Sequence, residues 1–493
     1  MNSRCFHILA LAIMAVSLLL PLAACQTAGP DAGNVIQQAY NGVREWFIMQ
    51  GAGDRIEKNR KGDGAVLVLD ENNVPVRGAR VYYEQQNHDF LFGASLALLA
   101  KNGPTDVNQE WAQACSALFN YGTVPFYWES YEVTQGQTSA TLLKMIAEWA
   151  KKRGITLKGH PLIWANSLPS WAPIQADDMQ KEQEERVKET AGEFCGVIDY
   201  WDVVNEPTMG AGVNNPLGNW MAARTPVTVC TDALGWATSA CPTATLIIND
   251  FRTDQDFRDL LQGIIRQKGK FDAIGIQSHM HRGNWPLFQV WDTCERFKDF
   301  DVPIHFSEVT VLSGSPKTGI SSEQQASEWP TTPDGEIAQA DYVEKFYTML
   351  FSHPSVQAIT WWDLSDYGAW QGAPAGLLRQ DMSKKPVYSR LLELIRNKWW
   401  SRGDTYTGDD GIARIRGFYG KYKIIVEKEG KRMDSTLHIA SGLDNRLKVK
   451  LEGYRQPPPT PLYEMIWPYV LAAVLITLIV LILRWIDKIR RRI

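Results

Sequence analysis

Ile198-Asp199-Tyr200-Trp201-Asp202-Val203-Val204-Asn205-Glu206-Pro207 reads as a buried strand that ends on an acid. A second run, Val302-Pro303-Ile304-His305-Phe306-Ser307-Glu308, ends the same way further along the chain. A near-continuous apolar run of this length suits a strand covered on both faces, as in parallel sheets. A carboxylate at the C-terminal mouth of such a strand must be desolvated, an unfavourable placement unless the group does chemistry.

Working outward from these two runs, similar segments recur with amphipathic stretches between them. The candidate strands are Asp89 to Ser95, Leu118 to Val124, Ile155 to Trp164, Ile198 to Asn205, Thr245 to Phe251, Asp272 to His279, Val302 to Glu308 and Val356 to Leu364. Thr141 to Lys152, Asp254 to Lys268 and Ala338 to Phe351 carry apolar residues at helical spacing. Strand and helix alternating in this number predict an α/β fold, a (β/α)8 TIM barrel over residues 89–400. An open doubly wound sheet that binds a nucleotide would carry a Gly-rich loop after its first strand, and no such loop is present.

The 493-residue chain has room for that barrel and smaller parts. Its net charge of -4 and the lack of a basic stripe argue against a nucleic-acid partner. Nineteen tryptophans are an excess. Flat indole faces stack on sugar rings, although core packing accounts for more than half of them.

Both ends carry membrane signals. Met1 to Arg4 form a basic n-region, Phe6 to Leu20 an apolar h-region, and Leu22-Ala23-Ala24-Cys25 resembles the lipobox of bacterial lipoproteins. Residues 1–25 are therefore expected to be a lipoprotein signal peptide with Cys25 as the lipidation site. A plain secretory cleavage would differ only in anchoring. Residues 465–485 predict a transmembrane helix with Trp467, Tyr469 and Trp485 at its ends, and Arg484, Lys488, Arg490, Arg491 and Arg492 place the 486–493 tail in the cytoplasm. The membrane is thus an expected partner through both termini, with the barrel on the extracytoplasmic face, periplasmic where an outer membrane exists. The competing reading makes Pro457 to Arg492 a sorting tail removed during surface display.

Outside the barrel lie two β-rich fragments. Ala65 to Leu69 and Ala79 to Tyr83 form one (64–88), around the turn Asp70-Glu71-Asn72-Asn73, and about four short strands between Gly411 and Leu451 form the other (401–452). Neither can bury a core alone. The pattern Asp70, Pro75, Val76, Gly78, Ala79 and the later Gly417-Phe418-Tyr419-Gly420-Lys421-Tyr422 resemble the two halves of an immunoglobulin-like sandwich of the carboxypeptidase regulatory type. The two fragments are expected to pair into one accessory β-sandwich with the barrel inserted between its halves. Residues 26–63 read as a linker and an amphipathic helix lying on the barrel, and 453–464 as a stiff Pro-rich linker. Of seven cysteines, Cys5 and Cys25 fall in the leader; Cys230 and Cys241 could close a loop, a pairing that spacing leaves open. No metal motif is present, and no cofactor is expected.

Between Phe90 and Leu392 the chain resembles glycoside hydrolase family 10 xylanases. The resemblance rests on Phe92-Gly93-Ala94, Phe119-Asn120, Gly159-His160-Pro161-Leu162-Ile163-Trp164, Leu168-Pro169-Ser170-Trp171, Trp201 to Pro207, Asn249-Asp250, Ile274-Gly275-Ile276-Gln277-Ser278-His279, Glu308 and Trp361 to Trp370. It implies a retaining glycosidase acting on β-1,4-linked xylan or xylo-oligosaccharides, with Glu206 as acid/base and Glu308 as nucleophile. Retention asks for carboxyls about 5 Å apart, Glu308 ionised and Glu206 protonated at rest. The same resemblance has His279 fix Glu308 and Asn205 bond the 2-hydroxyl of the sugar being cleaved. It assigns His160, Trp164, Gln277, Trp362 and Trp370 to substrate binding. Trp171 is expected to pack its loop, and Asp202 to act from behind the site.

The departures bear on substrate. Family members usually carry a Glu-Asn pair and a Lys after the second strand, gripping the sugar just before the cleavage point. Here that stretch is Phe119 to Trp128 and has none of them, while Ala165 stands where a second His is usual. A retaining hydrolase or transglycosylase on another β-linked glycan, and a carbohydrate-binding surface receptor without turnover, are the alternatives.

Overall fold

The computed structural model describes residues 30–491 apart from 318, 320–323, 327 and 459–460, and for 30–36 the backbone alone. Cys25 with the rest of the leader, and Arg492, lie outside the described residues.

Two strands precede the barrel, β1 (Lys61–Leu69) and β2 (Arg80–Gln85). The barrel follows with β3 (Leu91–Ser95), β4 (Tyr121–Pro125), β5 (Thr156–His160), β6 (Ile163–Trp164), β7 (Tyr200–Asn205), β8 (Thr245–Asp250), β9 (Ala273–Ile276), β10 (Ile304–Val309) and β11 (Val356–Trp361). Neighbours run in the order β5-β4-β3-β11-β10-β9-β8-β7-β6, and β5 also pairs with β7, which closes the sheet. Every pairing in it is parallel. The expected strand Ile155 to Trp164 is split in two. Pro161 brings no N–H to the ladder, so β5 stops at His160, before the cis His160–Pro161 peptide, and β6 resumes two residues later. Counted as one stave, β5 and β6 make this an eight-stranded barrel.

Large side chains fill the barrel and its helical jacket; Phe92, Tyr121, Trp201 and Trp361 are fully buried. Trp201 fits only because its neighbour on β5 is Gly159, where an added Cβ would stand 2.1 Å from the indole ring. Lys158 and Asp202 are also buried inside the barrel, with Nζ 2.6 Å from Oδ2. Removing either partner would leave a lone buried charge, at a cost of about 3–5 kcal/mol.

After the barrel come β12 (Arg402–Tyr406), β13 (Ile412–Phe418), β14 (Gly420–Lys428), β15 (Lys431–Ile439) and β16 (Arg446–Lys450). The strand β12 was not among those read from the sequence. One small sheet has the order β13-β1-β16 and the other β12-β2-β14-β15. Each strand that precedes the barrel is flanked on both sides by strands that follow it, so the sheets exist only when both ends of the barrel chain come together. Val66, Val68, Val81, Ile424, Val426, Leu437 and Val449 form the core between the two sheets. Along β14 buried and exposed residues alternate over the first half, the period-two pattern of a sheet with one dry face.

The sandwich sits at the N-terminal end of the barrel strands. The Asp89 N–H, just ahead of β3, donates to the Tyr419 carbonyl, and the Arg60 guanidinium caps the carbonyls of Phe351, His353 and Val356 around the start of β11. The opposite end of the barrel is left free. Helices Pro30–Gln50 and Ala52–Asn59 lie along the barrel wall, where Arg44 makes a forked ion pair with Asp292 and Arg55 lies 4.6 Å over the Trp291 ring.

The disulfide is Cys195–Cys241, with Cα atoms 5.4 Å apart, and not Cys230–Cys241. It ties the ends of helices Ala176–Glu193 and Pro226–Ala240, whereas Cys230 points into the core from within the second helix and is buried with Cys115 and Cys294. Helix Leu462–Arg490 is exposed throughout and, with a mean hydropathy of 2.7 over its most apolar 18 residues, is the one helix among the described residues long and apolar enough to cross a membrane.

Candidate active site

The two acids that end β-runs in the sequence stand at the free, C-terminal end of the barrel. Glu206 follows β7 in a left-handed conformation (φ 53°), a strained state for a residue with a side chain. Its N–H donates to the Asn249 carbonyl at 2.8 Å, and the chain turns there into the short helix Pro207–Gly210. Strain of this kind at a strand end is held by surrounding structure and is concentrated at functional sites. Glu308 lies within β10 and is 3% exposed.

Side-chain amides from three strand ends tie the carboxylates together. Gln277 Nε2 donates to Glu206 Oε1 (2.9 Å) and to Asn205 Oδ1 (3.3 Å). Asn249 Nδ2 donates to the same Asn205 oxygen (2.7 Å) and to Glu308 Oε1 (2.7 Å). Ser307 Oγ donates to Asn249 Oδ1 at 2.6 Å and so fixes the amide's direction. The remaining oxygens are held from outside this chain of amides. Trp164 Nε1 donates to Glu206 Oε2 at 3.0 Å, and His279 Nε2 lies 3.1 Å from Glu308 Oε2. Behind them, the His160 ring contacts Asp202 Oδ2 through Nδ1 (2.7 Å) and faces Glu308 Oε1 through Nε2 at 4.0 Å.

Burial alone would push the Glu308 carboxyl up; the charges of His160 and His279 and the His279 hydrogen bond outweigh it and hold Glu308 below the ordinary glutamate range. Asp202 is likewise pushed up by burial and brought below its usual value by Lys158 and His160. Asp250, one residue past Asn249, is pushed up to about 6 by burial and accepts the N–H and hydroxyl of Thr208.

The walls are aromatic. Trp362 stands edge-on to His160 (5.4 Å between ring centroids) and to His279 (5.8 Å), and Trp370 lies 4.6 Å from His279. Trp171 packs against Trp128, as its loop role requires. Glu206, Glu308, Asn205, His279, His160, Trp164, Gln277, Trp362 and Trp370 thus fall into one connected cluster. Three further members were given no role from the sequence. Asn249 stands in the Asn249-Asp250 motif of the resemblance, at the end of the expected strand Thr245 to Phe251, without a part in the chemistry assigned to it. Asp363 follows Trp362, accepts the Trp370 N–H at 3.1 Å, and is pushed up to about 7 by burial. Tyr127 follows β4 and packs on His160 and Trp164. No group of His, Cys, Asp and Glu among the described residues is arranged to hold a metal ion.

Residues 70–394 match the family model of glycosyl hydrolase family 10. Among curated proteins, the chain is 23% identical over 401 residues to the anti-sigma-I factor RsgI6 of Acetivibrio thermocellus, covering 79% of this chain and 48% of that one. It thus spans about half that relative's length. It is 27% identical over 290 residues to endo-1,4-beta-xylanase B of Thermotoga neapolitana, covering 55% of this chain and 78% of that one. Among solved structures, xylanase 10B of Thermotoga petrophila in complex with xylobiose superposes with a TM-score of 0.53 at 21% identity, over 63% of this chain and 95% of that one, a likeness of fold. The chain belongs to glycosyl hydrolase family 10.

Proposed function

We propose that this family 10 chain is a retaining glycoside hydrolase that cleaves β-1,4-linked xylan or xylo-oligosaccharides by double displacement. The observation that carries the reading is the continuous set of hydrogen bonds from Glu206 through Gln277, Asn205 and Asn249 to Glu308. Pre-organised carboxyls of this kind flank a glycosidic bond without having to reorganise during the reaction.

Glu308, kept ionised by its histidines, attacks the anomeric carbon as Glu206 gives a proton to the departing glycosidic oxygen. The bond to the leaving sugar breaks and an ester to Glu308 forms. Glu206, now a carboxylate, takes a proton from water, whose oxygen attacks the same carbon and releases Glu308. Asn205 is held by two donated amide hydrogens, which leaves its own NH2 to bind the 2-hydroxyl of the ring being cleaved. Trp164, His160 and Gln277 line that ring, and Trp362 and Trp370 offer flat faces on which sugars stack.

The exposed apolar helix Leu462–Arg490 supports membrane anchoring, with Cys25 as the second anchor and the barrel outside the cytoplasm. A second reading has one observation in its favour. The relative named an anti-sigma factor, a regulator by name, aligns over 79% of this chain, which favours a receptor built on the same sugar-binding site over an enzyme. Purified protein given an aryl β-xyloside, an aryl β-glucoside and xylo-oligosaccharides separates the readings. Turnover of xylosides that is lost in Glu308→Ala supports the hydrolase, and binding without turnover supports the receptor. Turnover of the glucoside alone points to another β-linked glycan.

A further inference from the structure

We propose that Tyr127 is a specificity-determining residue of the cleft, whose phenol hydroxyl hydrogen-bonds a hydroxyl of the neutral sugar ring on the non-reducing side of the scissile bond. The inference rests on the glycosidase reading and deepens it. Tyr127 lies just past β4, at the C-terminal mouth of the barrel, and precedes the short helix Trp128–Tyr131. Its ring is edge-on to His160, at 5.6 Å and 89°, and 5.5 Å from Trp164. Those two rings belong to the two catalytic arms. Trp164 donates to Glu206, and His160 faces Glu308. Tyr127 therefore stands beside the space that both carboxyls address.

Its ring is half-buried, yet the hydroxyl has no hydrogen-bond partner among the described residues and is not one of the sealed, unpartnered polar atoms, as the Tyr121 hydroxyl is. A polar group fixed on an aromatic wall and left open to the cleft is free to bond a ligand. Burial and the nearby Glu308 and Glu206 charges push its ionisation well above the usual phenol value, so it remains a neutral donor. The lysine on this side of the barrel, Lys158, lies buried against Asp202 and presents no charge to the cleft. A neutral phenol in this position can donate to a hydroxyl of an uncharged pentose or hexose ring.

The test pairs Tyr127→Phe with an aryl β-xyloside and its 3-deoxy and 4-deoxy analogues. The variant should lower kcat/KM on the parent about 10-fold, the effect of one lost hydrogen bond. On the analogue lacking the partner hydroxyl it should equal the wild type, with an unchanged Tm. If Tyr127 only packs between His160 and Trp164, Tyr127→Phe matches the wild type on all three substrates, and the proposal is overturned. Xylotriose affinity is measured by calorimetry in a Glu308→Ala background with and without Tyr127→Phe. A loss of about 5- to 10-fold supports the role, and equal affinities overturn it. A wild type that turns over no glycoside would defeat the hydrolase reading while the affinity comparison still decides on Tyr127.

Discussion

Asn249 donates one amide hydrogen to Glu308 Oε1 at 2.7 Å and another to Asn205, so the side chain that orients one carboxylate also orients a polar group beside the other. The position is reserved for it by Gly275 on the adjacent strand β9, where an added Cβ would stand 2.1 Å from Asn249 Oδ1.

Gly275→Ala should therefore displace Asn249 and disable the site without touching either glutamate. We expect kcat/KM to fall about 100-fold, since small misplacements at a reacting centre are amplified, with a destabilisation of about 1–3 kcal/mol from overpacking. Steady-state kinetics beside a melting curve check both. Full activity in a folded Gly275→Ala protein would mean that Asn249 does not organise Glu308.

The acid limb of kcat/KM should lie below pH 4.5, the ordinary glutamate value, because Glu308 must be ionised and its neighbours hold its carboxyl down. Removing a group that favours the charged form raises the value. His279→Asn should therefore move the acid limb to higher pH, whereas loss of a merely structural histidine would lower the rate evenly across the pH range.

Asp363 titrates in the opposite sense. Its folded value is raised to about 7 by burial. The stability it contributes is present below its unfolded value and is lost as pH rises through the folded one. Asp363→Asn keeps an acceptor for the Trp370 N–H and removes that loss. The variant should be more stable than the wild type by up to about 4 kcal/mol at pH 8 and closer to it at pH 4. Melting curves at the two pH values settle the sign; an equal difference at both would show that Asp363 is not a buried titrating group.

The barrel and the paired acids were legible because both leave local marks: apolar runs of strand length, and a carboxylate placed where a structural role would be unfavourable. The break between β5 and β6 was encoded in Pro161, but the surrounding apolar residues masked it. Cys195 and Cys241 could not be paired by reading, since their approach depends on where two helices end in space. Asn249 sat in a motif of the resemblance with no role attached, and its role escaped, like those of Asp363 and Tyr127, for a related reason. Their roles arise from register between neighbouring strands and from which rings meet across the cleft, and nothing in their immediate sequence announces it.

Membrane anchoring can be read from the mature protein by mass spectrometry. An intact C-terminal peptide and a lipidated Cys25 are expected, with the barrel released only by detergent. Loss of everything beyond the Pro461 region would instead identify the apolar helix as a removed sorting tail.

The most direct measurement of the central claim is to trap the glycosyl-enzyme with an activated 2-deoxy-2-fluoro-β-xyloside and map the adduct by mass spectrometry. The fluorine slows both steps, and the good leaving group restores the first, so the covalent species accumulates. The account predicts one sugar per chain, carried on the peptide that contains Glu308 and absent from Glu308→Ala. A label on another carboxylate, or steady hydrolysis with no adduct and an inverted product anomer, would contradict it.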